Sequence, residues 1–223
     1  MSPEHAIVAS NHTYLPLVLS EEHIMADIYG LTGGIGCGKS SIAKQLATIP
    51  GFRIFDTDSV AKKMLESDVH RDAVNAIVGE DVYLHGTLEK ARLAEILFSD
   101  AEKRRAIEAL VGPGIWARIH LIARDMPPQS ILIVESALIY EQHTENLFKG
   151  IIAAYCPNNI ADRRLRKGRG MLSGDIAARR AAQLPAEEKA KRADYVINTS
   201  GRRREVAVRT VSLAQKLLSA LNP

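Results

Sequence analysis

Lys39 and Ser40 follow four glycines, Gly33, Gly34, Gly36 and Gly38, crowded into six residues of the stretch "GLTGGIGCGKS". Gly33, four residues, then Gly38-Lys39-Ser40 is the spacing of a phosphate-binding loop when a strand precedes it and a helix follows. Glycines permit positive φ and let the main chain close on a phosphate without a Cβ in the way. Successive N–H groups then converge, and a helix opening near Lys39 adds the positive end of its dipole. In that geometry Gly34, Ile35, Gly36, Cys37, Gly38, Lys39, Ser40 and Ser41 cradle the phosphates of a nucleotide. Lys39 bridges the β- and γ-phosphates, and the Ser40 hydroxyl is a ligand for Mg2+. Cys37 reads as a small residue filling a position that the backbone dictates. Its closeness to a helix N-terminus and to Lys39 also opens a redox-sensor reading.

A second group of chemically able residues comes seventeen positions after Lys39, where "FRIFDTDSVAKK" carries Asp56 and Asp58 at the junction of a strand and a helix. Open α/β sheets hold their ligands at that edge. Phosphoryl transfer needs positioning and charge neutralisation more than a strong base, so an ordinary aspartate suffices to orient an acceptor hydroxyl and take its proton. Asp58 is assigned that role, with helix capping as its structural alternative. Asp56 is divided between metal binding and capping. Glu135, ending "ILIVES", could reach the metal through water or make a structural hydrogen bond. The basic stretch "ADRRLRKGRGMLSGD" suggests a mobile, arginine-bearing lid over about 160–180, with Arg163, Arg164, Arg166, Lys167 and Arg169 available to the phosphates. "GRRRE" at 201–205 reads as solvated surface.

These residues need a scaffold. Apolar runs bounded by turn signals predict strands at "IYGLT", "FRIF", "ILIVES", "GIIAAYC" and "DYVIN". Helical patterns lie between them: Ser40 to Ala47, several over Ser59 to Arg124, Ile160 to Lys167, Ile176 to Lys191, and Arg204 to the C-terminus. Strand–helix alternation implies an α/β fold with a parallel sheet covered by helices on both faces. About 75 residues separate "FRIF" from "ILIV", more than one crossover helix requires, which predicts an inserted helical subdomain over about 60–125. Ser99 and Asp100 are its candidate helix caps.

Composition limits the partners. The chain has 223 residues and a net charge of +3, too slight a basic bias to argue for nucleic acid. Its longest apolar runs, such as "ILIV", fall short of a membrane span. Two cysteines far apart, Cys37 and Cys156, make no disulfide framework and fit a reducing cytoplasm. Residues 1–24 have neither the basic start nor the apolar centre of a secretory signal, and Met25 stands just before the first strand. They are expected to be a dispensable extension, or the product of a mis-called start, ahead of one domain over 25–223.

Taken together, "GLTGGIGCGKS", "DTD", "FSDAEKRRAIEALVGPGI", "ESALIYE" and "QLPAEEKAKRADYVINTSG" resemble the dephospho-CoA kinase family, in matching order from about Met25 to the C-terminus. The resemblance implies a P-loop kinase fold and phosphorylation of the ribose 3′-hydroxyl of dephospho-CoA by ATP, the last step of coenzyme A synthesis. It implies that Thr32 lies beside the acceptor and that Asp58 aligns the 3′-hydroxyl. Arg169 would be the lid arginine, and Leu138 and Tyr140 would line the acceptor pocket. The chain departs from the family pattern at Gly112-Pro113, where His-Pro is usual, and at Ala137, where proline is usual. Its lid is one residue shorter, which brings Arg166 into competition with Arg169. Residue types alone leave two other readings open: a kinase for another small hydroxyl acceptor (nucleoside, nucleotide or shikimate), and a regulatory nucleotide binder.

Overall fold

The computed structural model describes residues 25–221; the extension expected over 1–24 lies outside them. Five parallel strands form the central sheet: β1 (Asp27–Gly33), β2 (Phe52–Asp56), β5 (Ile131–Glu135), β6 (Gly150–Tyr155) and β7 (Tyr195–Asn198), in the order β2-β5-β1-β6-β7. Each of the five predicted strands is present. The chain runs from β1 outward to β2 on one side and later to β6 on the other. The loop after β1 therefore opens at the point where the sheet changes winding direction, the ligand crevice of such folds.

β5 shows why the sheet must be covered twice. Its run "ILIV" is buried throughout. Ile131 and Ile133 join the cluster built with Tyr29, Leu31, Ile42, Leu46, Ile152 and Leu217, while Leu132 and Val134 join Phe55, Ile119 and Ala123 on the opposite face. Period-two alternation sends the two pairs to opposite faces. Each such side chain contributes about 1.5–3 kcal/mol when fully buried. The first face is packed by α1 (Lys39–Leu46), α8 (Ala186–Arg192) and α9 (Arg203–Ser219).

Between β2 and β5 the chain forms α2 (Thr57–Leu65), α3 (Asp68–Val78), a hairpin of β3 (Tyr83–Leu84) and β4 (Thr87–Leu88), α4 (Lys90–Ser99) and α5 (Ala101–Asp125). These elements enclose an apolar cluster of their own, including Met64, Val74, Val78, Tyr83, Leu93, Ile96 and Ile107. The small hairpin was not foreseen, its strands being only two residues each. Asp100 caps α5, accepting from the N–H groups of Glu102 (2.9 Å) and Lys103 (3.0 Å), whereas Ser99 ends α4. α5 is long and apolar enough over one window to span a bilayer by length and composition. Its Ile107 and Val111 instead pack in the helical cluster, and its Ile119 and Ala123 against the sheet.

One predicted element is corrected. The single helix expected over Ile176 to Lys191 is two: α7 (Ser173–Ala181) and α8, which starts after Pro185. The proline ring sets the first-turn φ of a helix but has no N–H to continue one, and it disfavours helical backbone in the residue before it. α6 (Asn158–Arg169) precedes α7, and Gly170 (φ 63°) closes it in the left-handed conformation.

Candidate active site

The loop between β1 and α1 is built by main chain. Gly33 has φ 143°, and a Cβ there would stand 2.3 Å from the Ala154 carbonyl oxygen of the neighbouring strand. Gly36 has φ 77°, with Leu165 and the Ala161 carbonyl within about 3.0 Å of any added Cβ. No other residue type fits either place. Gly38, also left-handed, turns the chain into α1, and its carbonyl accepts from Ser41 N–H at 3.0 Å. The first turn of α1 thus faces the crevice at the sheet's C-terminal edge.

Lys39 folds back over the loop, its Nζ donating to the Gly33 carbonyl at 2.9 Å and to the Gly34 carbonyl at 3.3 Å. Burial holds its pKa below the ordinary lysine value, and Lys189 adds to this; Cys37, Glu135 and Asp58 oppose it. Ser40 Oγ donates to Glu135 Oε1 at 2.7 Å. Burial raises the Glu135 pKa, and the Ser40 bond works against that. The Glu135 main-chain carbonyl accepts from Thr57 Oγ1 at 2.9 Å, which ties the start of α2 to the end of β5.

The two aspartates divide the work that the sequence left undivided. Asp56 caps α2: it accepts from Ser59 N–H at 3.1 Å and from Ser59 Oγ at 2.6 Å. Asp58, two residues on, is released from capping and lines a cavity of about 640 Å³ together with Lys39, Ser40 and Glu135. The same cavity is lined by Ile35, Gly36, Gly38, Ser41, Leu138 and Arg169. Arg169 therefore stands on the wall, and Arg166 does not. Arg164, also on the wall, is engaged with Thr199, donating to its Oγ1 at 3.2 Å. A second cavity of about 650 Å³ opens on the other side of the loop, bounded by Gly38, Ser41, Arg164, Lys167 and Thr199. Arg203, from the stretch read as plain surface, also reaches it.

Two residues carried over by resemblance, Thr32 and Tyr140, do not stand on the cavity walls, contrary to the expectation that Tyr140 lines the acceptor pocket. Thr32 is fully buried in β1. Tyr140 is buried with Ile139 and Ile151, and the Arg192 guanidinium lies 4.4 Å from its ring centre. Burial pushes the Tyr140 phenol up to about 12. Cys37 is buried too, its thiol donating to the Cys156 carbonyl at 3.8 Å, so it fills space under the loop.

Sequence reasoning missed Arg104, Arg105, Glu108, Arg179, Glu141 and Gln142, all on the cavity wall. Arg104 and Glu108 are four residues apart on one face of α5, a phase that the Asp100 cap could have fixed. A further cavity of about 460 Å³ continues from there along α5, past Gly112, Ile115, Trp116 and Ile119 to Phe148.

Could this site hold magnesium? Among the described residues no group of three or more His, Cys, Asp or Glu forms a metal cage. Mg2+ does not require one, since it is held through one or two protein oxygens plus phosphates. The Ser40 hydroxyl and Glu135 carboxylate, in mutual contact at the loop, are the hard oxygen donors that suit it.

A glycine loop after the central strand, a lysine and serine opening α1, carboxylates at the ends of β2 and β5 and arginines from a following helix pair define a P-loop kinase. Comparison with known proteins narrows the class. The dephospho-CoA kinase profile matches residues 27–205, and the chain belongs to that family. It is 32% identical to the dephospho-CoA kinase of Aquifex aeolicus over 174 residues, 77% of this chain and 88% of the relative. It is 36% identical to that of Synechococcus sp. over 176 residues, 78% and 88% of the two chains. A Thermus thermophilus crystal structure matches its fold with a TM-score of 0.75 at 28% identity, covering 86% of this chain and 97% of that one.

Proposed function

We propose that the chain transfers the γ-phosphoryl group of ATP to the ribose 3′-hydroxyl of dephospho-CoA, giving coenzyme A and ADP in the cytoplasm. The observation that carries this reading is Asp58, free of any capping duty, on one cavity wall with Lys39 and Ser40. ATP lies with its phosphates in the loop from Gly34 to Ser41 and its base in the groove beside Arg164 and Thr199. Lys39 gives up its contacts with the Gly33 and Gly34 carbonyls for phosphate oxygens, a charge-assisted exchange. Mg2+, held by Ser40 and Glu135, offsets the phosphate charge when bound.

Asp58 accepts a hydrogen bond from the acceptor hydroxyl, aims its oxygen at the γ-phosphorus and receives the proton as the new O–P bond forms. Arg169 closes from the lid to neutralise charge on the transferring group. The helical region over 57–125 forms the acceptor side. Leu138 lies at its entrance, and the chamber walled by Ile115, Trp116, Ile119 and Phe148 suits a flat base. Tyr140, in the cluster with Ile139 and Phe148, supports that wall from behind. Gly112, in place of the usual histidine, leaves the chamber wider there.

The test is ADP release by purified protein with magnesium-ATP and a panel of acceptors: dephospho-CoA, adenosine, AMP and shikimate. Turnover with dephospho-CoA alone is expected. Turnover with adenosine or shikimate and none with dephospho-CoA would overturn the reading.

A further inference from the structure

Lys189 is fully buried in α8, its Nζ 2.7 Å from Glu141 Oε1 and also donating to the Ala137 carbonyl. Glu141 Oε1 accepts a second bond, from Leu184 N–H at 2.7 Å. One carboxylate oxygen is thus doubly satisfied. The other, Oε2, is buried and has no partner. An ion pair taken out of water is costly unless every lone pair is met, so a spare oxygen in such a pair calls for an occupant.

Its surroundings say where that occupant lies. Asp58, Arg105, Glu108, Leu138, Glu141 and Gln142 line both the phosphate-side cavity and the chamber along α5. They form the neck between the two. Among the carboxylates of the neck, Glu141 has the buried oxygen without a partner, and Asp58 is free of the helix cap. Beyond the neck the chamber is apolar and aromatic, walled by Ile115, Trp116 and Phe148, so the polar part of an acceptor belongs in the neck and a flat ring beyond it.

We infer that Glu141 is a specificity-determining residue whose Oε2 accepts a hydrogen bond from the hydroxyl next to the one phosphorylated, so that the site reads a vicinal diol. Lys189 is its positioning residue, fixing the carboxylate through the ion pair. The inference rests on the proposed function, in which the diol is the 2′,3′-pair of the ribose. A site built to accept a hydroxyl proton discriminates against an analogue lacking it, because the buried acceptor is then left unpaired.

The test compares kcat/KM for dephospho-CoA, its 2′-deoxyribose analogue, and an analogue whose base carries hydrogen in place of the amino group. Each is measured in the wild type, in Glu141→Ala, and in the pair Glu141→Leu with Lys189→Met, which replaces the buried ions by apolar groups of similar size and protects the fold. The wild type is expected to lose about 10-fold or more on the 2′-deoxy analogue, the worth of one bond to a charged acceptor. In both variants that penalty should shrink to about 2-fold, the mark of a direct enzyme–substrate coupling. A merely structural ion pair would lower all three values together and leave the penalty intact. An unchanged penalty in the variants, no penalty in the wild type, or a penalty confined to the base analogue would overturn the inference while leaving the kinase reading standing. Absence of turnover with dephospho-CoA itself would instead remove the reading beneath it.

Discussion

The donor end of the cavity is walled by the main chain of residues 34–38 and the first turn of α1; its acceptor end is walled by side chains from α2, α5, the segment after β5 and the lid. The first is a contiguous stretch whose shape follows from where glycine is obligatory. The second is assembled only when four distant segments pack. Main-chain amides fixed by the sheet cannot reorganise cheaply, which is what stabilising a polyphosphate demands. Side chains on a separate helical layer can be exchanged without disturbing the sheet, which is what changing an acceptor demands. On the proposed function, chemistry common to P-loop kinases and choice of acceptor are held in different kinds of structure.

If that division is real, damage at the donor end should abolish turnover with every acceptor. Lys39→Ala is expected to lower kcat/KM by about 10³-fold, the scale set by removing one preorganised donor. Near-normal activity would mean that the loop does not hold the transferring phosphate. Damage at the junction of the two ends should appear first as instability. Lys189→Met leaves Glu141 buried without its cation and should cost about 3–5 kcal/mol in chemical denaturation, recovered when Glu141→Leu is added. A single variant as stable as the wild type would show that Glu141 finds water.

Proton linkage separates the two ends as well. Burial lowers the Lys39 pKa, and a bound polyphosphate favours the ammonium form, so the nucleotide complex holds this proton to higher pH than the free protein. Below the lowered value Lys39 is charged in both states, and its protonation adds no pH dependence. As pH rises through it, Mg-ATP affinity should fall, by up to about tenfold per pH unit. Calorimetry in buffers of different ionisation enthalpy should then detect proton uptake on binding. Proton release over that range would reverse the assignment.

The smallest effect is expected where the lid meets the helical layer. Arg179 of α7 lies 5.5 Å from the ring centre of Phe98 in α4, and Phe98 is 51% exposed. An exposed cation–π contact is worth about 0.5–1 kcal/mol, so Phe98→Ala should raise KM for the acceptor about 2- to 5-fold with nucleotide affinity unchanged. A matching change in nucleotide affinity would show that the Phe98–Arg179 contact acts at the donor end instead.

The same contrast explains what could be read in the sequence. The glycine loop was legible because its function is local: spacing, φ and helix start lie within a dozen residues. The place of Asp58 on the cavity wall was legible because a strand-to-helix junction in an open sheet is a ligand edge, although only the structure shows Asp56 taking the cap. The five strands were legible from apolar runs between turn residues. The break at Pro185, between α7 and α8, is not visible in helical periodicity over 176–191.

The acceptor end stayed hidden for a different reason. Arg105, Glu108 and Gly112 share a face of α5, but periodicity does not say which face meets the site. Lys189 is the sharpest case. In "EEKAKR" it has the composition of a solvated charge run, yet it is fully buried, because the residues that neutralise and solvate it, Glu141 and Ala137, lie about fifty positions away in the chain.

Asp58→Asn, assayed for turnover of dephospho-CoA and titrated in parallel with Mg-ATP, bears most directly on the claim that a carboxylate in the first turn of α2 steers a hydroxyl toward a phosphate held by main chain. A fall in kcat of about 100-fold with nucleotide affinity within about 2-fold of wild type is the expected pairing. Unchanged kcat, or a loss of nucleotide binding equal to the loss of rate, would contradict it.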